Sequence, residues 1–202
     1  MVVGIHAGLQ RTTTSLALSA TSATYGSSVT AAATVTGATS GQVRFSWDGT
    51  SAVADLVGGT ASVALPSTLA AGTYSVVASF LGTTSAAPST SAPVTLTVVG
   101  RASTTRVVLV PPVVPTGIPA VAAVLVRTGT GSAQGQVTVS VDGTVVSTAT
   151  LAGGLALALL PSNLAVGAHA VTVAYPGNAT TAASSATATL TVRPWWGWRP
   201  GR

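Results

Sequence analysis

Few side chains in this sequence could do chemistry. The 202 residues include three Asp (Asp48, Asp55, Asp142), two His (His6, His169) and eight Arg, with no Lys, Glu or Cys. General acid–base catalysis needs positioned titratable groups, and covalent catalysis needs a nucleophile beside a base. Asp48-Gly49 and Asp142-Gly143 recur in matching surroundings. Their order is that of a tight hairpin turn, because Gly tolerates positive φ. It is not the Asp-Thr/Ser-Gly order of an aspartic dyad. Hard cations take several oxygens, usually from more than one carboxylate, and Asp55 has Thr150 at its counterpart position. Without cysteine there is no disulfide and no thiolate metal site; without lysine there is no Schiff base. No catalytic residue, metal ligand or cofactor is therefore expected.

Charged residues make up 5% of the chain, and the net charge is +5. Arg11, Arg44, Arg101, Arg106, Arg127 and Arg193 are scattered; only Arg199 and Arg202 lie close together. A nucleic-acid groove clusters its cations among aromatics, so no nucleic-acid partner is expected. The run Val107 to Val126 is uncharged but holds Pro111, Pro112, Pro115 and Pro119. Those prolines would break a spanning helix, so no transmembrane segment is expected.

An internal repeat shows which elements must position the few polar groups. Gly41-Gln42-Val43 and Asp48-Gly49-Thr50 return 94 residues later as Gly135-Gln136-Val137 and Asp142-Gly143-Thr144. Gly58-Gly59, Leu65-Pro66-Ser67 and Leu69-Ala70 return at an offset of 95 as Gly153-Gly154, Leu160-Pro161-Ser162 and Leu164-Ala165. Leu96-Thr97-Val98 returns as Leu190-Thr191-Val192. Offsets change only between apolar runs, where loops absorb insertions. Inside each copy the hydrophobic period is two. Val29, Ala31, Ala33 and Val35 alternate with polar or small residues, as do Val43, Phe45 and Trp47. Alternation of this kind, rich in Val and Thr, marks half-buried strands. The expected fold is all-β: two tandem immunoglobulin-like β-sandwich domains of about seven strands each. The expected boundaries are a disordered leader over 1–11, domain 1 over 12–99, domain 2 over 103–193 and a Trp-rich tail over 194–202. The alternating Leu155, Leu157 and Leu159 conflict with the alignment of Leu160 on Leu65, and a bulge is expected before Leu160.

The ordered set Tyr25-Gly26, Val43, Phe45, Asp48-Gly49, Gly58-Gly59, Leu69, Gly72, Tyr74 and Leu96-Thr97-Val98 resembles the bacterial Ig-like repeat domains of group 3. Such domains occur in tandem in large secreted and surface proteins. The resemblance implies an immunoglobulin-like sandwich and stalk or adhesion roles. His169 aligns with Tyr74, which resembles the corner tyrosine whose hydroxyl bonds nearby backbone, and an imidazole can supply the same donor. Trp47 sits where such domains bury a large ring, with Val141 in the second copy. Structural roles are thus expected for Trp47, Asp48, Gly49, Tyr74, Asp142, Gly143 and His169. The tail holds Trp195, Trp196 and Trp198 beside Arg199, a composition suited to partner contact. The expected function is a non-catalytic spacer or stalk repeat of a bacterial secreted or cell-surface protein, monomeric within a longer array. The alternative is an adhesion module for a glycan or surface protein, or an accessory to a secreted enzyme.

Because each copy carries its own alternating apolar set, residues 10–100 and 101–194 expressed separately should each give a cooperative β-type unfolding transition by circular dichroism. Failure of either half to fold alone would contradict the repeat reading.

Overall fold

The structure, a computed structural model, describes residues 8–129 and 131–195. It divides after Val99 into two compact units. Unit 1 comprises β1 (Thr13–Leu18), β2 (Ser22–Thr24), β3 (Val29–Thr36), β4 (Ser40–Trp47), β5 (Thr50–Val57), β6 (Thr60–Leu65), β7 (Gly72–Phe80), β8 (Ser89–Thr90) and β9 (Val94–Val99). Unit 2 comprises β10 (Ser103–Val110), β11 (Val113–Pro115), β12 (Val121–Thr128), β13 (Gly131–Ser132), β14 (Gln136–Val141), β15 (Thr144–Thr150), β16 (Leu155–Leu159), β17 (Gly167–Tyr175) and β18 (Ser184–Arg193). The first strand of each unit breaks and changes sheet. β1 pairs with β3 while β2 runs parallel to β9; likewise β10 pairs with β12 while β11 runs parallel to β18.

In unit 1 the order β1-β3-β6 continues into β5-β4-β7-β9-β2 through the single pair Val57↔Thr60. In unit 2 the corresponding sheets are separate: β10-β12 with β13 and β16 beside β12, and β11-β18-β17-β14-β15. Each unit packs two apolar sheet faces together. Val29, Ala31, Ala33 and Val35 of β3 meet Val43, Phe45 and Trp47 of β4 in the first core. Ala122, Val124 and Val126 of β12 meet Val137, Val139 and Val141 of β14 in the second. Trp47 is buried in the first core, and Val141 occupies the matching place in the second.

Two details revise the sequence reading. Gln10, within the expected leader, bridges Ala86, and Arg101, between the two expected domains, bridges Thr181 in the same way. Each unit thus starts two residues earlier than its repeat. Second, the bulge expected before Leu160 is absent. Ala156, Ala158 and Leu160 point inward in unbroken alternation, leaving Leu155, Leu157 and Leu159 outside. β16 is held in register along its whole length, from Leu155↔Leu125 to Leu159↔Val121, and Leu160 N–H donates to Ala120 O beyond its end. A register shift falls instead between β14 and β15, at Val139/Ser140.

The Gly153-Gly154 turn that starts β16 needs glycine for two different reasons. Both residues have positive φ (59° and 82°). A Cβ on Gly153 would meet nothing within 4 Å, whereas one on Gly154 would lie 2.7 Å from the Val126 carbonyl oxygen. Gly153→Ala should therefore cost only the left-handed penalty of about 1 kcal/mol. Gly154→Ala should cost more, roughly 2–3 kcal/mol, because backbone must move. Denaturant melts of the two variants should rank in that order.

Candidate functional site

Both Asp-Gly turns have left-handed backbone at their two central residues. Asp48 has φ 42° and Gly49 74°; Asp142 has φ 51° and Gly143 84°. They close β4–β5 at Trp47↔Thr50 and β14–β15 at Val141↔Thr144. Two central residues with φ > 0 match the right-handed twist of the flanking strands. In unit 2 the turn also presents its aspartate toward β17. Asp142 Oδ1 accepts the Ala170 N–H at 2.8 Å, and Oδ2 lies 2.6 Å from His169 Nδ1. On the other side of the ring, His169 Nε2 is 2.8 Å from the Ala165 carbonyl oxygen.

A carboxylate and a carbonyl can only accept, so both ring nitrogens must carry hydrogen, and the arrangement selects the imidazolium. The Ala165 carbonyl, then the Asp142 carboxylate, raise the His169 pKa above its ordinary value. The His169 ring and the Ala170 N–H hold Asp142 below the usual carboxylate range. A histidine in this state has no lone pair free to take a proton, so the pair is poorly arranged for general-base work. In unit 1, Tyr74 replaces the histidine, and its hydroxyl donates to Ala70 O at 2.8 Å. Tyr74 and His169 thus reach the same backbone oxygen, four residues upstream, with different chemistry. Asp55 accepts from Gln42 Nε2 at 3.2 Å on the surface.

A second repeated cluster ties the first strand of each unit to the segment after β7 or β17. Thr12 Oγ1 lies 2.7 Å from both Ala87 O and Ser89 Oγ, and Thr14 Oγ1 is 2.7 Å from the same serine hydroxyl. Ser103, Thr105 and Ser184 repeat the cluster at 2.6–2.7 Å. Reading the sequence for titratable groups passes over these hydroxyls. Their signal is the return of a hydroxyl at three positions across the repeat, at offsets of 91, 91 and 95 residues.

Trp195 is exposed (62%) just after β18; Trp196, Trp198 and His6 lie outside the described residues. Among the described residues, no three His or Asp side chains gather to hold a metal, and no helix is long and apolar enough to cross a membrane.

Compared with known proteins, the chain matches the bacterial Ig-like domain (group 3) family twice, over residues 16–99 and 107–193. No curated protein matches it. Among solved structures, the fibronectin(III)-like modules of Clostridium thermocellum CbhA align with 93% of this chain and 98% of theirs, at 17% identity and a TM-score of 0.43. The Yersinia pseudotuberculosis adhesin InvE aligns with 88% of this chain and 58% of its own, at 13% identity and a TM-score of 0.44. A Ca2+-stabilized adhesin of an Antarctic bacterium that binds ice aligns with 94% of this chain and 50% of its own, at 19% identity and a TM-score of 0.35.

The His169–Asp142 tie makes the stability of unit 2 depend on pH. A raised imidazole pKa contributes fully below the ordinary value and is lost as pH rises through the raised one. A lowered carboxyl pKa contributes above its ordinary value and is lost as pH falls through the lowered one. The contribution should therefore peak between about pH 4 and pH 6.5. Thermal melts of residues 101–194 should drop by a few degrees at most between about pH 6 and pH 9, since the Asp142 carboxylate is half exposed and water screens the pair. His169→Tyr, the residue of unit 1, should flatten that limb.

Proposed function

Since the chain belongs, in two tandem copies, to the bacterial Ig-like domain (group 3) family, we propose that it is a load-bearing spacer of a bacterial secreted or cell-surface protein. The observation that carries this reading is the pairing of entry and exit segments in each unit. β2 runs parallel to β9 with Ser22↔Thr97, Ala23↔Val98 and Thr24↔Val99. β11 runs parallel to β18 with Val113↔Thr191, Val114↔Val192 and Pro115↔Arg193. Tension between the two ends of a unit slides such strands past each other. Their hydrogen bonds are then loaded together in shear rather than broken one at a time. Bonds that flank the pair extend it: Thr97 N–H donates to Thr21 O and Tyr25 N–H to Val99 O, each at 2.8 Å. Thr191 N–H to Pro112 O and Thr116 N–H to Arg193 O repeat them in unit 2 at 3.0 and 2.9 Å. The His169–Asp142 geometry supports a non-catalytic role, because it uses the groups a catalyst would need to hold a turn against a strand. A second reading, adhesion to a glycan or surface protein through the tail, draws on the exposed Trp195 ring.

Pulling the chain in a force spectrometer should give two unfolding events, each releasing about 300 Å of chain, the extended length of some 85 residues. Thr116→Pro removes the donor to Arg193 O and should lower the unfolding force of one event while leaving the other unchanged. Two events at very low force, or no response to the substitution, would count against a load-bearing role. Binding of the wild-type chain on a glycan array, lost in Trp195→Ser, would favour the adhesion reading.

A further inference from the structure

The outer face of the sheet β10-β12-β16 is apolar, whereas the same face of unit 1 is polar. Register places Val110, Val121 and Leu159 side by side in one row, and Val108, Ala123 and Leu157 in the next. The third row is Arg106, Leu125 and Leu155, and the fourth sets Thr104 beside Arg127. Exposure is high on both flanks: Val108 62%, Val110 56%, Leu155 59%, Leu157 73% and Leu159 65%. In unit 1 the matching outward residues of β1 are Thr13, Ser15 and Ala17, those of β3 are Thr30, Ala32 and Thr34, and those of β6 are Thr60, Ser62 and Ala64. The two units share the family's fold, so the face can be solvated with hydroxyls. In unit 2 it is not.

We propose that this face of unit 2 is a self-association surface, occupied by the same face of a second copy of the chain. Two observations favour a second copy over other occupants. First, the exposed side chains leave roughly 600 Å² of apolar surface in water, at the upper end of what one patch on a monomer carries. Two copies face to face would bury about 1,200 Å², the lower bound of a stable specific interface. The surface is an open sheet of alternating aliphatic side chains, the same kind that packs at about 10 Å inside each unit. Second, the charges select an orientation. Arg106 and Arg127 lie together at one end of the strands, and the Val110–Val121–Leu159 row lies at the other. With strands antiparallel across a two-fold axis centred on the Val108–Ala123–Leu157 row, the Val110–Val121–Leu159 row of each copy covers Arg106–Leu125–Leu155 of the other, and the guanidinium pairs sit at opposite ends. A parallel arrangement would gather four like charges in one place. The sequence suggests a monomer within a longer array; this face would join such arrays side by side.

The test uses the full chain and a variant that copies unit 1 onto unit 2. Leu155→Thr, Leu157→Ser and Leu159→Ala reproduce Thr60, Ser62 and Ala64, so the strand keeps a composition that already folds on this backbone. Sedimentation velocity over a concentration series from roughly 5 to 500 μM should show the wild type moving from one to two chain masses, since weak interfaces of this size have micromolar constants. The triple variant should remain at one mass throughout, with association weakened at least about 100-fold, and with unchanged β-type circular dichroism. A wild type that stays monomeric overturns the proposal. So does a dimer that survives the triple substitution. A monomeric wild type that instead binds vesicles of anionic phospholipid, and loses that binding in the variant, also overturns it by identifying a lipid surface as the occupant.

Discussion

Side-chain placement in each unit depends on register, and register is set where the chain reverses on two residues with positive φ. Asp48-Gly49 and Asp142-Gly143 close one hairpin; Gly58-Gly59 and Gly153-Gly154 start the strand that follows. With a side-chain period of two, a slip of one residue at any of these turns would exchange the core and solvent faces of the strand it starts. Few charges are available to penalise such a slip in a chain that is 5% charged. The turns and the inward Val, Leu and Phe positions therefore carry the specification. Asp142 shows how one residue serves both needs: its backbone makes the turn, and its carboxylate ties that turn to β17 through Ala170 and His169.

Much of the fold was legible because the repeat compares the sequence with itself. Turn residues that return at offsets of 94 and 95 are hard to produce by composition alone, and the alternation between them gives the sandwich faces directly. The site was legible in part. The alignment of His169 with Tyr74 pointed to a donor reaching nearby backbone, and both side chains do reach the carbonyl four residues upstream. The approach of Asp142 to the same imidazole was not legible. It depends on how β14 and β17 are placed side by side, with Val141 opposite Val171, and sequence spacing does not encode that lateral pairing. The hydroxyl clusters around Ser89 and Ser184 were passed over for a similar reason. In a chain crowded with Thr and Ser, one hydroxyl looks like another until strands bring three together.

The expectation of a bulge before Leu160 shows where the sequence argument failed. It assumed that leucine outranks alanine for a place inside. Within β16 the inward positions are Ala156 and Ala158, with Leu160 just beyond, and the leucines between them face out. Hydrophobicity ranks residues by what burial gains, but position is decided by what the facing sheet has room for and by the pinned ends of the strand. The Gly154 turn and the Ala120–Leu160 hydrogen bond leave no extra residue to reverse the alternation.

Three leucines on an outer face carry a cost that the fold does not require. Full burial of a leucine gains about 1.5–3 kcal/mol, and the smaller part of that is realised where Leu155, Leu157 and Leu159 stand, since each is more than half exposed. Exposed aliphatic strand faces also invite unwanted association. The unit 1 face shows that threonine, serine and alanine fit the same backbone. The two copies therefore share what positions the strands and differ in what the strands display. Tyr74 against His169, and a hydroxyl face against a leucine face, are changes that leave turns, register and core intact. Duplication of a rigid sandwich permits this: once the turns and inner faces specify the fold, the corner residue and the outer face of one copy are free to acquire properties that the other copy lacks.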